Sequence, residues 1–262
     1  MNNYRVAFID IDWTILNHKD GHYFDIESIN AIKKAQSLGL LIFFCTARTY
    51  ASVVYTGLIE LIKPDGIICT NGAVILIGDQ PIFIKPFPHD IVQKCLEVAN
   101  NHDFVLELTT IKDKYFTNSP NQYVKNYLSI YYETIPTILK QPPENVTQIL
   151  LFAPSEYDDV LINELPKSIE YHRYDTNGVS LNYHQNLKGE AVKYTLNHIK
   201  IDKKYAIAFG DSEDDISMFN EAGTSVAMGN SKTELVKEKA TIVADTIDNH
   251  GVATIIANLF FK

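Results

Sequence analysis

The chain has 262 residues, with 23 Lys and Arg against 32 Asp and Glu, for a formal net charge of −9. Apolar residues make up 46% and charged residues 21%, a globular balance that excludes collagen-like, low-complexity and disordered classes. The acidic balance argues against nucleic acid as a partner, because phosphate-backbone binding draws on clustered Lys and Arg. It leaves room for a small phosphorylated ligand, since one local lysine reverses the sign within a pocket.

At about 150 residues per domain, the length suits one large domain or two modest ones. The N-terminal Met1-Asn2-Asn3-Tyr4-Arg5 lacks the basic, apolar and cleavage regions of a signal peptide. The longest apolar run, Leu40 to Cys45, falls far short of the roughly 20 residues of a membrane helix. The three cysteines, Cys45, Cys69 and Cys95, are widely spaced and form no CxxC pair, which suggests reduced thiols and no zinc site. A cytoplasmic protein with no membrane partner is expected; no sequence feature specifies an oligomeric state.

In chain order, Val6 to Ile9 is a short apolar run that ends in two aspartates. Ser28 to Leu38 carries a helical stripe at Ile29, Ile32, Ala35 and Leu38, closed by Gly39. Leu40 to Cys45 is continuous in apolar residues, as a buried parallel strand requires. Ala51 to Ile62 is predicted as a second helix. Gly66 to Cys69 is another buried strand, closed by the Asn71-Gly72 turn signal. This βαβαβ rhythm implies a parallel sheet with helices on both faces.

The texture changes after Gly78, where prolines accumulate and alternation replaces continuous apolar runs, as in Phe104 to Leu108 and Lys114 to Thr117. A strand is predicted at Gln148 to Phe152 and a helix at Tyr157 to Leu165. The first rhythm returns with a helix at Gly189 to His198 and a strand at Tyr205 to Phe209. A short helix at Asp215 to Ala222, strands at Thr224 to Met228 and Ala240 to Val243, and a helix at Gly251 to Phe261 complete it. The expected fold is α/β: a Rossmann-like parallel-sheet core in two segments, 1–79 and 185–262, with an α+β domain inserted at 80–184.

Ligands of open parallel sheets bind at the carboxyl ends of the strands. The segments that follow the predicted core strands are Asp10-Ile11-Asp12-Trp13-Thr14, Thr46-Ala47-Arg48, Thr70-Asn71-Gly72 and Gly210-Asp211-Ser212-Glu213-Asp214-Asp215. Lys188 joins them where the core resumes. Acidic and phosphate-friendly residues thus converge on one rim. If Asp10, Asp12 and Asp211 approach one another, like charges about 4 Å apart repel by about 4 kcal/mol at an effective dielectric near 20. Such a cluster must bind a cation or hold protons, and hard carboxylate oxygens without His or Cys point to Mg²⁺.

Asp10-Ile11-Asp12-Trp13-Thr14, Thr46, Lys188 and Gly210-Asp211 with Asp215 resemble the four ordered motifs of the haloacid dehalogenase (HAD) superfamily. Thr70-Asn71-Gly72-Ala73, Lys188-Gly189 and the large insert resemble its Cof-type branch, which carries a class II α/β cap. Only the position and size of the cap match. The resemblance implies an Mg²⁺-dependent phosphatase acting on a small phosphorylated metabolite, with sugar phosphates foremost.

Carried over residue by residue, it implies that Asp10 attacks phosphorus and forms an aspartyl-phosphate. Asp12 protonates the leaving alcohol and then activates water, and its carbonyl joins Asp10 and Asp211 as a metal ligand. Thr46 hydrogen-bonds the phosphoryl group and Lys188 neutralises charge. Asp215 supports the metal or orients Lys188, while Ala47, Arg48, Asn71 and Asp214 face phosphate or substrate. A phosphomutase on the same core, or a relic that binds a metabolite without turnover, are the alternative readings.

Two residues depart from the family pattern. Trp13 stands where Gly is usual, in a turn over the site, where a large ring narrows the entrance or packs under the cap. Asp214 stands where the branch usually has Asn, and a carboxylate there repels phosphate unless it turns toward the metal or holds a proton.

Blander roles exist for each residue: a turn for Asp10 and Asp12, a helix N-cap for Thr46, an ion pair for Arg48, a plain turn for Asn71-Gly72. His18 and His22 have i, i+4 spacing, but Gly21 between them reads as a loop. Tyr123, Tyr127, Tyr131 and Tyr132 form a stripe that reads first as packing within the insert. Cys45 reads as a small buried apolar residue.

Overall fold

A computed structural model describes residues 4–19, 23–131, 136–183 and 187–261, with only the backbone for 127–131. His22 and Tyr132 lie outside the described residues, as do the side chains of Tyr127 and Tyr131. The chain forms two compact units, residues 1–83 with 186–262, and 84–185.

The first segment runs β1 (Val6–Ile9), β2 (Leu16–Asn17), β3 (Tyr23–Phe24), α1 (Ile26–Ser37), β4 (Leu41–Cys45), α2 (Tyr50–Tyr55), α3 (Leu58–Ile62), β5 (Gly66–Cys69), β6 (Val74–Ile77) and β7 (Gln80–Ile84). The insert contains α4 (His89–Asn101), β8 (Val105–Thr109), β9 (Lys114–Phe116), α5 (Gln122–Tyr131), β10 (Thr137–Ile138), β11 (Gln148–Phe152), α6 (Asp158–Glu164), β12 (Glu170–Arg173) and β13 (Gly178–Asn182). The core resumes with α7 (Lys188–Ile199), β14 (Ala206–Gly210), α8 (Ile216–Phe219), β15 (Thr224–Ala227), α9 (Glu234–Lys239), β16 (Ile242–Val243) and α10 (Gly251–Phe260).

The core sheet has eight strands in the order β16-β15-β14-β1-β4-β5-β6-β7. It is parallel from β16 to β5 and turns antiparallel at the β5–β6 hairpin. Every residue of β1, β5, β14 and β15 is buried, which is why these strands read as unbroken apolar runs. Val6 and Phe8 pack with Phe43, Ala191, Val192, Leu196, Met218 and Phe219, joining α7 and α8 to one face. Helices α1 and α10 pack on each other and are pinned by Ala253 N–H donating to Ser28 Oγ at 3.1 Å and by His250 Nδ1 bonding Asp25 Oδ1 at 2.7 Å.

Several expectations shift. The helix expected at Ala51 to Ile62 is two helices, α2 and α3, because Gly57 adopts φ +75° and breaks the run. The core sheet continues through β7, so residues 80–83 belong to the core unit rather than to the insert. Thr46 is not a helix N-cap; Thr49 caps α2, its side chain accepting from Ser52 N–H at 3.2 Å.

The insert has its own six-stranded sheet, β10-β9-β8-β11-β13-β12, antiparallel except for the parallel β9–β10 edge. Leu106, Leu108, Ile149, Leu151, Val179 and Leu181 face Val92, Cys95, Leu96 and Ala99 of α4 and Leu161 of α6. The alternate residues Val105, Phe116 and Phe152 pack with Val124 of α5, with Tyr123 beside them. Tyr123 donates to both carboxylate oxygens of Asp175, at 2.7 and 2.6 Å, so the one tyrosine of the stripe whose side chain is described packs within the insert.

At the β12 edge, Arg173 binds the Asp158 carboxylate through Nε, 3.0 Å from each oxygen, and its Nη1 donates to the carbonyls of Ala153, Asp175 and Thr176. Arg173, joined by Tyr171, holds the Asp158 carboxyl below the usual carboxylate range. A group with a depressed folded pKa contributes stability in full above its unfolded value of about 3.9, and that contribution is lost as pH falls through the folded value. Asp158→Asn is therefore expected to lower stability at pH 7 by about 1 kcal/mol or less, the carboxylate being a third exposed and screened. Urea unfolding across pH checks this: the deficit should shrink as the pH drops below about 4.

Candidate active site

Strands β1 and β14 are neighbours at the centre of the sheet, and the chain leaves them in opposite directions, toward β4 and toward β15. Such a switch point opens a crevice at the carboxyl ends of the strands. Asp10 follows β1, with its N–H donating to Phe209 O at 2.9 Å. The chain then wraps around the Ile11 carbonyl, which accepts from Thr14, Ile15 and Leu16 N–H at 3.3, 2.9 and 2.8 Å. This places Asp12 and Trp13 at the tip of a tight loop rather than at a strand-to-helix turn.

Trp13 has φ +60°, a left-handed conformation that costs an L-residue roughly 1–2 kcal/mol. Its N–H donates to Leu16 O at 2.8 Å, and its carbonyl accepts from Asn230 Nδ2 at 2.8 Å. Asn230 is itself fixed by Ile247 N–H, which donates to its Oδ1 at 2.8 Å.

Lys188 opens α7 with its side chain only 2% exposed. Its Nζ donates to Asp10 Oδ1 at 2.9 Å and to Asp215 Oδ1 at 2.6 Å. Asp215 Oδ2 in turn accepts from Asp211 N–H and Ser212 N–H, each at 3.0 Å, and from Ser212 Oγ at 3.1 Å. Gly210 makes room for this turn, since a Cβ there would fall 2.4 Å from the Asp215 carboxylate. Asp215 thus orients Lys188 and shapes the loop that carries Asp211.

Asp10, Asp211 and Asp215 each offer an oxygen such that all three lie within 4.8 Å of one another. Burial pushes the Asp10 carboxyl well up, against the pull of Lys188 and with the push of Asp215, Asp12 and Asp211. Burial and Asp215 raise Asp211 to about 7. Burial also works against the Lys188 charge, yet Asp10 and Asp215 lift its pKa well above the ordinary lysine value. The site therefore holds more negative charge than its lysine balances. A compact set of carboxylate oxygens without nitrogen or sulfur donors fits a hard divalent cation of the Mg²⁺ kind.

The Asp12 carboxylate points elsewhere and is not part of this cluster. Arg48 grips it in a fork, Nε to Oδ2 at 2.8 Å and Nη2 to Oδ1 at 2.7 Å, and His18 Nε2 lies 2.5 Å from Oδ1. Burial alone would raise its pKa; hydrogen bonds from His18 and Arg48 overcome that and lower it to about 2. Asp12 is thus held as an anion at neutral pH by two partners of its own, whereas Asp10 shares its lysine with Asp215.

Asp10, Asp12, Ala47, Lys188, Asp211 and Asp214 line one cavity of about 320 Å³. Thr46, Arg48, Asn71 and Asp215 do not line it. Thr46 is fully buried, its Oγ1 accepting from Arg48 N–H at 3.1 Å. Arg48 is committed to Asp12. Asn71 sits in a left-handed turn at φ 51°, bonding Thr46 O through its N–H and Leu187 N–H through its carbonyl. The cysteines are buried free thiols, with burial raising Cys69 and Cys95 to about 12 and Cys45 further, so none is a reactive nucleophile.

Sequence reasoning placed Ser212 and Glu213 on this rim without a role and missed Lys232 and Thr233; all four line the cavity with Trp13, and His18 was missed as a partner of Asp12. The signal for Lys232 was present: it follows β15, and the strand-end rule applied to that strand reaches Gly229-Asn230-Ser231-Lys232. His18 carried no comparable signal, because it follows the two-residue strand β2, too short to leave a pattern in the sequence.

A family model described as haloacid dehalogenase-like hydrolase matches residues 7–256. The chain belongs to this family and is a hydrolase. The chain is 26% identical over 295 residues to phosphatase YwpJ of Bacillus subtilis, covering 97% of this chain and 99% of that one. Over 262 residues it is 26% identical to the 5-amino-6-(5-phospho-D-ribitylamino)uracil phosphatase YcsE of the same organism, covering 96% and 94%. Among solved structures, the HAD subclass IIB sugar phosphatase BT4131 superposes with a TM-score of 0.77 at 25% identity, covering 97% and 98%.

Replacing Lys188 by Met keeps most of its length and removes the charge between two buried carboxylates. Breaking a buried pair in this way costs about 3–5 kcal/mol. Urea unfolding of Lys188→Met without added metal should show a loss on that scale.

Proposed function

We propose that the chain is a cytoplasmic, Mg²⁺-dependent phosphatase that hydrolyses a small phosphorylated metabolite, a sugar phosphate foremost, through an aspartyl-phosphate on Asp10. The observation that carries this reading is the Asp10 carboxylate, with Oδ1 held by Lys188 and the oxygens of Asp211 and Asp215 beside it. Membership of the hydrolase family supports it, as do the phosphatase names of the relatives and the sugar phosphatase among its structural neighbours.

Asp10 Oδ2 forms the bond to phosphorus as the bond to the ester oxygen breaks, and Asp12 gives the departing alcohol its proton. Water then attacks the aspartyl-phosphate, Asp12 takes its proton, and inorganic phosphate leaves with the Asp10 carboxylate restored. Arg48 and His18 hold Asp12 as the anion that the second step needs; for the first step Asp12 must carry a proton, which requires that grip to loosen. Lys188 offsets charge on the nucleophile and the phosphoryl group. Ala47, exposed on the cavity wall, offers its backbone to phosphoryl oxygens; the Thr46 hydroxyl still has its proton to give but lies buried behind that wall, so it supports the loop that carries Ala47.

Mg²⁺ held by Asp10, Asp211 and the Asp12 carbonyl, with Asp215 behind, would neutralise charge as phosphate approaches. Asp214 lines the same cavity, on the side open to substrate. The inserted unit is the cap of this branch and carries further specificity residues.

The test is inorganic phosphate release from a panel of phosphorylated metabolites, with Mg²⁺ and with EDTA. Release should require the metal, and Asp10→Asn should lower kcat by at least about 10³-fold. Folded protein silent across the panel, or an Asp10→Asn variant that keeps its turnover, overturns the reading; sugar-phosphate isomerisation without phosphate release would assign the site to a mutase. Asp12→Asn should lower kcat by about 10²–10⁴-fold on alkyl phosphates; on p-nitrophenyl phosphate, whose leaving group needs no proton, the first-turnover burst of p-nitrophenol should be nearly retained while steady-state turnover falls with the water step.

A further inference from the structure

Trp13 is the only tryptophan in the chain, and it occupies a backbone conformation that a bulky residue rarely adopts, φ +60°. The bonds that hold it there come from its own N–H and carbonyl, to Leu16 O and from Asn230 Nδ2. A glycine makes both bonds without strain. The backbone therefore gives no reason for tryptophan at this position. A strained residue held in place at a functional site points to a use for its side chain.

The indole shares the cavity with Asp10 and Asp12. The lining around it is carboxylates, lysines, hydroxyls and a single alanine, so the indole is the aromatic surface of this wall. Its ring lies 5.3 Å from that of His18, tilted by 51°, and His18 is bonded to the Asp12 carboxylate. The position of the indole is thus tied to the carboxylate assigned to protonate the leaving alcohol. The alcohol portion of a bound ester must lie near that carboxylate, and hence near the indole.

We propose that Trp13 is a specificity-determining residue that stacks on the face of a ring carried by the alcohol of the phosphate ester, so that the site favours ring-bearing monoesters over acyclic ones. The proposal rests on the phosphatase reading for the ester and on the turn geometry for the ring.

Benzylphosphonate and propylphosphonate test it, because neither can be hydrolysed and both carry the phosphonate on a primary carbon. With Mg²⁺ present, benzylphosphonate should change the emission of Trp13. Calorimetry should show it binding about tenfold more tightly than propylphosphonate, the scale of one aromatic stack.

In Trp13→Gly the preference should fall to about threefold or less, and in Trp13→Phe it should largely persist. Glycine accepts the left-handed turn, so thermal unfolding of Trp13→Gly should be no lower than that of the parent, which separates loss of selection from loss of fold. Equal affinities in the parent, no detectable binding of either phosphonate, or a preference unchanged in Trp13→Gly would overturn the proposal. A Trp13-dependent preference without phosphate release from any ester would leave this inference standing and overturn the phosphatase reading; phosphate release with a preference indifferent to Trp13 would do the reverse.

Discussion

Lys188, buried between Asp10 and Asp215, fastens together three parts of the chain that sequence keeps far apart. Asp10 ends the first strand, Lys188 begins the helix that resumes the core after the insert, and Asp215 lies in the turn beyond β14. Any one of these charges alone in that interior would be heavily penalised by desolvation. Together they satisfy one another, and the second oxygen of Asp215 goes on to hold the Asp211–Ser212 turn. Asp10, Lys188 and the Asp211–Ser212 turn held by Asp215 are therefore one electrostatic unit, and the core cannot close around two of its charges without the third. A buried ion pair is weak grounds for stability in itself; its use here is to fix where three functional groups stand.

The same rim holds carboxylates in opposed environments. Asp10 and Asp211 crowd one another and Asp215, and burial raises both. Asp12, two residues from Asp10, faces away into Arg48 and His18 and is held as an anion. The divergence has a simple backbone origin. The loop that wraps the Ile11 carbonyl turns the chain over between the two aspartates, so that one belongs to the sheet and the other to the hairpin beyond it. The positive φ at Trp13 completes that turn, and Asn230, in the segment after β15, holds its carbonyl.

The parallel core was legible because strands buried on both faces leave unbroken apolar runs, and because the residues that follow such strands are where ligands bind. Asp10 and Asp211 came from that rule, and Lys188 from its place where the core resumes. The rule's reach ended where it was not carried through: Lys232 and Asn230 follow β15 as plainly as Asp211 follows β14. Other features could not be read this way. The Asp12–His18–Arg48 cluster depends on a two-stranded hairpin too short to carry periodicity, and the capping of α2 by Thr49 rather than Thr46 turns on a difference of three residues in where a helix starts. Glycine at position 57 could be seen, but whether it bends a helix or ends it depends on packing. In the insert, alternation marked the strands but not their order, since antiparallel neighbours are chosen by side-chain pairing across the sheet.

Each unit buries its own core, which explains how the chain accommodates so large an interruption. In the insert, α4 and α6 cover one face of the sheet while Val105, Phe116, Phe152 and Val124 pack on the other, and Lys114 pairs with the fully buried Glu107 at 2.8 Å. A unit that buries its own apolar surface and pairs its own buried carboxylate makes few demands on the core that hosts it. The demands fall on the points of departure and return, and the return is immediately followed by Lys188. The lysine that pairs with Asp10 is therefore also the first helical residue after the insert. The insert can vary in sequence without disturbing the chemistry only so long as it delivers the chain to that position.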